Sequence, residues 1–212
     1  MKLSELADKY PSHKHTAHDY FNRIYNELIL PYKDKTKLFV EIGVLSGDSL
    51  RIWNDYFDHA RIVGVDSNPD IVGSIGRCEL IRCDQSKEED LRSLAPQIQD
   101  ADIIMDDASH KMYDQQKTLA ILFKVLKPGG LYILEDLHTS VECLMPSKAV
   151  FGWGDPTKTT TLNMLNNFVN TGKIVSDYMT EEEVKYLEDH IAVCKVYDDR
   201  YPDSITSSIV KK

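Results

Sequence analysis

Apolar residues along the chain follow two alternating rhythms. Short, almost continuously apolar runs rich in β-branched residues occur at 37–44 ("KLFVEIGV"), 61–67, 78–84, 101–107, 130–136, 191–198 and 205–212. Between them, apolar residues recur at three- and four-residue steps, as in Phe21, Ile24, Tyr25 and Leu28, in Leu50, Trp53 and Phe57, and in Leu119, Leu122, Phe123 and Leu126. The first rhythm belongs to strands buried on both faces, and the second to helices with one apolar face. Their alternation predicts a doubly wound α/β fold, a mostly parallel seven-stranded sheet with helices on both faces. "KPGG" at 127–130 predicts a helix stop, because proline cannot continue a helix and glycine takes the left-handed turn. "TEEEVKYLED" (180–189) is expected to be a solvated helix face, and 140–160 has the chemistry of a loop that covers a ligand.

Composition narrows the field. A chain of 212 residues suits one core, and with 42% hydrophobic and 28% charged residues it has the balance of a water-borne globular domain. No apolar run reaches the roughly 18 residues of a spanning helix, so no membrane partner is expected. The opening "MKLSELADKYPSHKH" lacks the apolar stretch of a secretory leader, which gives an expectation of cytoplasmic location. A net charge of −9 and the lack of a basic cluster argue against nucleic acid. Cys78, Cys83, Cys143 and Cys194 show neither CxxC pairing nor companion histidines at ligand spacing, so they are expected as free thiols.

In doubly wound sheets ligands bind beyond the carboxyl ends of the strands. Those ends are acidic here: Glu41, Asp66, Asp84, Asp106 with Asp107, and Glu135 with Asp136. Gly43 and Gly47 flank the first strand-to-helix turn, but Leu45 and Asp48 stand where a dinucleotide fingerprint requires glycine, which weakens a nicotinamide reading. Asp66 ends the next strand, about twenty residues on, in position to accept hydrogen bonds from ribose hydroxyls.

Taken together, "FVEIGVLSGDSL", "VGVDSN", "IRCDQS" and "LKPGGLYILED" resemble the class I S-adenosylmethionine-dependent methyltransferases over about 37–138. Adding "DKYPSHKHTAHDYFNRIY", "DDASH" and "EDLHTS", the chain resembles the metal-dependent O-methyltransferases that act on sugar hydroxyls, including those of macrolide deoxysugars. Ala108 and Pro11 stand where that pattern usually has glycine. The resemblance implies a single Rossmann-like methyltransferase domain over 1–212, with 1–32 as an N-terminal lid or helix and 33–212 as the core. It also implies that Glu41 and Gly43 shape the methionine end of the cofactor pocket, Asp66 holds the ribose, and Asp84 with Gln85 lies near the adenine. Gly47, Ser49, Asp107, Tyr20 and His15 complete the implied cofactor contacts, and Ser109 lines the reaction centre.

Methylation of a hydroxyl requires a lowered hydroxyl pKa, a proton acceptor and an aligned acceptor oxygen. Asp107, Glu135 and Asp136 supply oxygen ligands for a hard cation, Mg2+ or Mn2+, and His110 supplies a base of nearly neutral pKa, aided if the next helix begins close to Ser109. Asp106 is expected to turn away from them by strand alternation. His138 is weighed evenly between an acid or base and a pocket wall, and Trp153 is a candidate for packing on a sugar ring. His13, His15 and His18 are close in sequence, but their segment reads as a lid or a solvated stretch rather than as a metal site. The expected acceptor is a small-molecule or glycan sugar, a deoxyhexose such as rhamnose. A catechol or other vicinal diol, and a non-catalytic cofactor-binding module, are the alternatives, and a homo-oligomer is left open.

Overall fold

The computed structural model describes residues 2–10, 12–71, 73–141, 154–155, 157–198 and 204–212. Seven strands form one sheet: β1 (Leu38–Ile42), β2 (Arg61–Asp66), β3 (Glu79–Arg82), β4 (Ala101–Asp106), β5 (Leu126–Leu134), β6 (Ile191–Tyr197) and β7 (Thr206–Lys211). Their order is β3-β2-β1-β4-β5-β7-β6; β1 to β5 are parallel, and β7 runs antiparallel to both β5 and β6. Strand order reverses between β1 and β4, where such sheets open a crevice. The expected strands are present with shorter ends, except that β5 begins earlier than expected: Leu126 pairs with Ala101, so "KPGG" lies within the strand and is absorbed by a register shift instead of preceding it.

Helices cover both faces. In the N-terminal half, α1 (Leu3–Ala7), α2 (His13–Thr16) and a π-helical turn (Phe21–Tyr25) that continues into α3 (Asn26–Leu28) pack with α4 (Asp48–Tyr56) on one side. On the other side lie α5 (Glu88–Leu94), α6 (Met112–Leu122), α7 (Thr161–Thr171) and α8 (Glu181–His190). Thr180 caps α8 reciprocally with Glu183, as its sequence suggests. That helix is not solvated all round, however, because Glu183 is buried against the Lys117 ammonium at 2.9 Å. Cys78, Cys83 and Cys194 are free thiols. No helix among the described residues is long and apolar enough to cross a membrane.

The segment expected as a lid also belongs to the core. Leu3, Leu6, Tyr20, Phe21, Tyr25 and Ile29 are buried against the sheet. Trp53 of α4 lies at the centre of this layer, its ring centroid 4.8 Å from that of Phe39 and 5.5 Å from that of Phe21. Among the described residues its indole N–H has no hydrogen-bond partner, and the residue serves this layer by volume and ring contact. Trp53→Ala should therefore cost about 3–5 kcal/mol of stability in urea denaturation and loosen the N-terminal segment. A cost below about 1 kcal/mol would place the anchor of that segment elsewhere.

Candidate active site

Alternation along three neighbouring strands decides which acids meet. In β1, Phe39 faces the N-terminal layer while Leu38, Val40 and Ile42 face the other, so Glu41 shares the side of Phe39. Ile103 and Met105 of β4 point the same way, followed in phase by Asp107; Leu131 and Ile133 of β5 do likewise, followed by Glu135. The register sets Glu41 beside Met105 and Asp106 beside Leu134, so the three carboxylates converge at the carboxyl ends of β1, β4 and β5. Asp106, one residue out of phase, turns to the opposite layer as expected. It accepts hydrogen bonds from the Gln85 amide (2.6 Å) and the Tyr132 hydroxyl (3.3 Å), and burial pushes its pKa up to about 7.

The centre of the converging acids holds a residue that sequence reasoning missed. Lys14, carried by α2 and only 4% exposed, places its Nζ 3.3 Å from Glu41 Oε1 and 3.2 Å from Glu135 Oε2, and donates to Asp107 Oδ2. Burial alone would lower its pKa, but the charges of Asp107, Glu135 and Glu41 outweigh that penalty and hold it well above the ordinary lysine value. Burial raises the pKa of Glu135 and of Glu41, and the Lys14 charge offsets part of this. Two hydroxyls complete the arrangement: Tyr25 donates to Glu135 Oε1 (2.7 Å) and Ser49 to Glu41 Oε2 (2.9 Å). The only sequence signal for Lys14 was its position in the "SHKH" segment, where attention fell on the histidines instead.

A second group shares Asp107. Asp107, His110 and Asp136 each present a ligand atom within 4.8 Å of the others. Glu135, expected in the ligand set, lines the same cavity but lies outside that spacing, and its carboxylate accepts from Tyr25 and Lys14. His110 Nε2 lies 3.6 Å from Asp136 Oδ2. Burial works against the Asp136 charge, but His110, His18 and His138 outweigh it and hold the carboxyl below its usual range; the Tyr20 hydroxyl adds a hydrogen bond at 3.0 Å. Two carboxylates and an imidazole at this spacing fit a divalent cation held through oxygen, and the imidazole, a poorer ligand for a hard cation, stays available for a proton. His110 and Asp136 both adopt left-handed φ angles, +57° and +54°, as does Leu45 (+49°) on the cavity wall. Such strain concentrates where geometry serves function.

These groups border a cavity of about 470 Å³, within the range of small-molecule sites. Asp66, Asp84, Gln85, Ser49, Asp107, Ser109, His110, Glu135 and Asp136 all line it. Asp66 also accepts the Val44 N–H (2.9 Å) and the Asn68 N–H (2.8 Å), and Gln85 tethers the Ser109 N–H. Gly43 (φ +89°) lines the wall, and a side chain there would collide with the backbone of Asp107 and Ala108, so its glycine character answers to loop packing. Several expectations need correction. His15 does not line the cavity; it bonds Asp8 at 2.8 Å and sets its edge against Phe21. Tyr20 is fully buried beneath Asp136, and Gly47 caps α4 instead of forming wall. Glu41 sits behind Ser49 and Lys14, and His138 stands behind His18, with ring centroids 6.0 Å apart. His18, unlike His15, does reach the cavity. Helix α6 starts at Met112, so its first turn lies beyond Ser109 and His110, and Ser109 Oγ bonds Asp114 instead. Trp153 and most of the covering loop lie outside the described residues.

No family model matches the chain. Over 66% of its length it is 37% identical to 8-demethyl-8-alpha-L-rhamnosyl tetracenomycin-C 2'-O-methyltransferase of Streptomyces olivaceus, and over 65% it is 32% identical to mycinamicin VI 2''-O-methyltransferase of Micromonospora griseorubida. These stretches cover 37% and 36% of the two relatives, so the chain spans a little over a third of their length. All of the chain superposes on 55% of the MycE methyltransferase of the mycinamycin biosynthetic pathway, in complex with Mg and SAH, with a TM-score of 0.78 at 25% identity. An O-methyltransferase from Bacillus cereus, in complex with SAH, shares the fold with a TM-score of 0.57 at 15% identity, covering 99% of the chain and 90% of its own length. The chain has the Rossmann-like methyltransferase fold and is similar in sequence to the sugar O-methyltransferases of glycosylated natural products.

Proposed function

We propose that the chain is an S-adenosylmethionine-dependent, divalent-metal-dependent O-methyltransferase that acts in the cytosol on a sugar hydroxyl, a deoxyhexose such as rhamnose on a small glycosylated acceptor. The observation that carries this reading is the juxtaposition of Asp107, His110 and Asp136 within 4.8 Å at the edge of a cavity that Asp66 also lines. Relatives named for transfer to a rhamnosyl sugar and to mycinamicin VI, and a structural neighbour holding Mg and SAH, support it.

In this reading Asp66 offers its remaining lone pairs to ribose hydroxyls, while its bond from the Val44 N–H ties it to the β1–α4 loop and its bond from the Asn68 N–H holds the turn after β2. Asp107 and Asp136 would hold Mg2+, which supplies Lewis-acid polarisation that lowers the pKa of a bound hydroxyl. S-adenosylmethionine supplies an electrophilic methyl group on a positively charged sulfur. Transfer of that methyl to the acceptor oxygen would leave the carbon–sulfur electron pair on sulfur. The hydroxyl proton passes to the His110 ring, whose Nε2 faces Asp136 Oδ2 at 3.6 Å, so the imidazolium forms beside a carboxylate held in its charged state. His110, with its left-handed backbone, lines the cavity beside Asp136.

Purified protein given isotopically labelled S-adenosylmethionine and a panel of rhamnosylated and other glycosylated acceptors should transfer methyl with Mg2+ or Mn2+ and lose turnover in EDTA. Undiminished turnover in chelator would remove the metal from the mechanism. His110→Ala should slow methyl transfer about 10²–10⁴-fold with cofactor affinity nearly unchanged. Wild-type rates in that variant would pass the base role to another group. Asp66→Ala removes a charged hydrogen-bond acceptor worth about 1.5–3 kcal/mol, so cofactor affinity by calorimetry should fall roughly 10- to 150-fold. An unchanged dissociation constant would take Asp66 out of the cofactor site.

A further inference from the structure

His110 and Asp136 stand on different loops, one after β4 and one after β5, and both have left-handed backbones. A buried hydroxyl joins them. Thr139, 1% exposed and not part of the cavity wall, places Oγ1 3.1 Å from the His110 carbonyl oxygen and 3.0 Å from the Asp136 carbonyl oxygen. A hydroxyl has one hydrogen to give. The Asp136 carbonyl already accepts the Thr139 N–H at 3.2 Å, at the start of the short helical turn Leu137–Ser140, so the hydroxyl hydrogen is free for His110, 29 residues away in the chain.

We propose that Thr139 is a positioning residue for methyl transfer: its hydroxyl ties the backbone of His110 to the loop that carries Asp136, and so sets the distance between the base and that carboxylate. The inference rests on the reading of His110 as proton acceptor given above. The turn that carries Thr139 is itself fixed, since the buried Leu137 donates its N–H to the Ile205 carbonyl (2.9 Å) and Ser140 Oγ accepts the Leu162 N–H of α7 (3.1 Å). On the other side of His110 the loop is held through Ser109, whose N–H goes to the Gln85 side chain (3.1 Å) and whose hydroxyl goes to Asp114 (2.6 Å). Those bonds tie the loop to the end of β3 and to α6; the Thr139 bond ties it to the loop after β5. A left-handed backbone at a residue other than glycine costs free energy and persists only where its surroundings hold it. Thr139 supplies part of that hold from outside the cavity, so its hydroxyl can be removed without altering any group that faces cofactor or acceptor. Small displacements of a reacting group carry large costs in rate, which is why a tether remote from the chemistry matters to it.

The test uses the full chain at saturating Mg2+ with a rhamnosylated acceptor. Thr139→Val keeps the shape and removes the hydroxyl; kcat should fall about 10- to 100-fold, while KM for S-adenosylmethionine and the calorimetric affinity for S-adenosylhomocysteine stay near wild type. Thr139→Ser keeps the hydroxyl and should restore most of the rate. Hydrogen exchange read by mass spectrometry needs no acceptor: peptides covering 107–112 should exchange faster in Thr139→Val than in wild type or Thr139→Ser, with β1 unchanged. A wild-type rate in the valine variant, a serine variant as slow as the valine one, or unchanged exchange over 107–112 overturns the proposal. If the valine variant does not bind S-adenosylhomocysteine, Thr139→Ala takes its place in both measurements, and loss of binding there too assigns Thr139 to the fold and overturns the proposal. A wild-type chain that methylates no acceptor overturns instead the reading of His110 on which the inference rests, and the exchange measurement then decides the tether by itself.

Discussion

Two buried carboxylates, Glu41 and Glu135, with a third, Asp107, beside them at the cavity wall, need a cation among them. Strand parity imposes that situation on this fold, since Glu41, Asp107 and Glu135 all face the N-terminal layer at the level where β1, β4 and β5 end. Much of the rest of the architecture follows from meeting this demand. The ammonium must come from outside the sheet, so the chain spends a buried aromatic layer of Tyr20, Phe21, Tyr25 and Trp53 on seating the segment that delivers it. Tyr25 serves both purposes, packing against Trp53 with its ring and donating to Glu135 with its hydroxyl.

The site divides its work by distance from the sheet. Nearest the strands lie the buried Glu41 and Glu135, each accepting a hydrogen bond from a protein hydroxyl, Ser49 and Tyr25, with Glu135 also reaching the cavity wall. Beyond them, on loops, lie the groups that face the cavity: Asp107, His110 and Asp136. Leu45, His110 and Asp136 on these loops have left-handed backbones, as do Asp19 and Asp100 away from the cavity, and among the described residues no non-glycine strand residue does. A rigid inner tier that holds a strained outer one is the arrangement that keeps reacting groups within narrow limits.

Much of this was legible in the sequence. The strands were readable because β-branched runs buried on both faces leave little ambiguity, and the acids at their ends were readable because parity carries past the last paired residue. Asp106 turned away for the same reason. Contacts that depend on partners far along the chain were not legible. "SHKH" presents His13, Lys14 and His15 as equals, and only the tertiary setting of α2 sends Lys14 inward and leaves His15 to Asp8. Glu135 and Asp136 look equivalent in "ILED", but strand alternation gives the first to Lys14 and Tyr25 and the second to the imidazoles. The early start of β5 was hidden because a pairing with Ala101 overrides the turn chemistry of "KPGG".

The sequence separations inside the site carry a kinetic consequence. Lys14 meets Asp107 across 93 residues and Glu135 across 121; Tyr20 meets Asp136 across 116; Arg23 meets Ser204 across 181. Closing loops of this length costs entropy that is recovered only when the contacts form, so structure of this kind accumulates late in folding. The cation that balances the acids at the ends of β4 and β5 is thus supplied from 93 and 121 residues away, so the charge balance of the site exists only when both halves of the chain are in place.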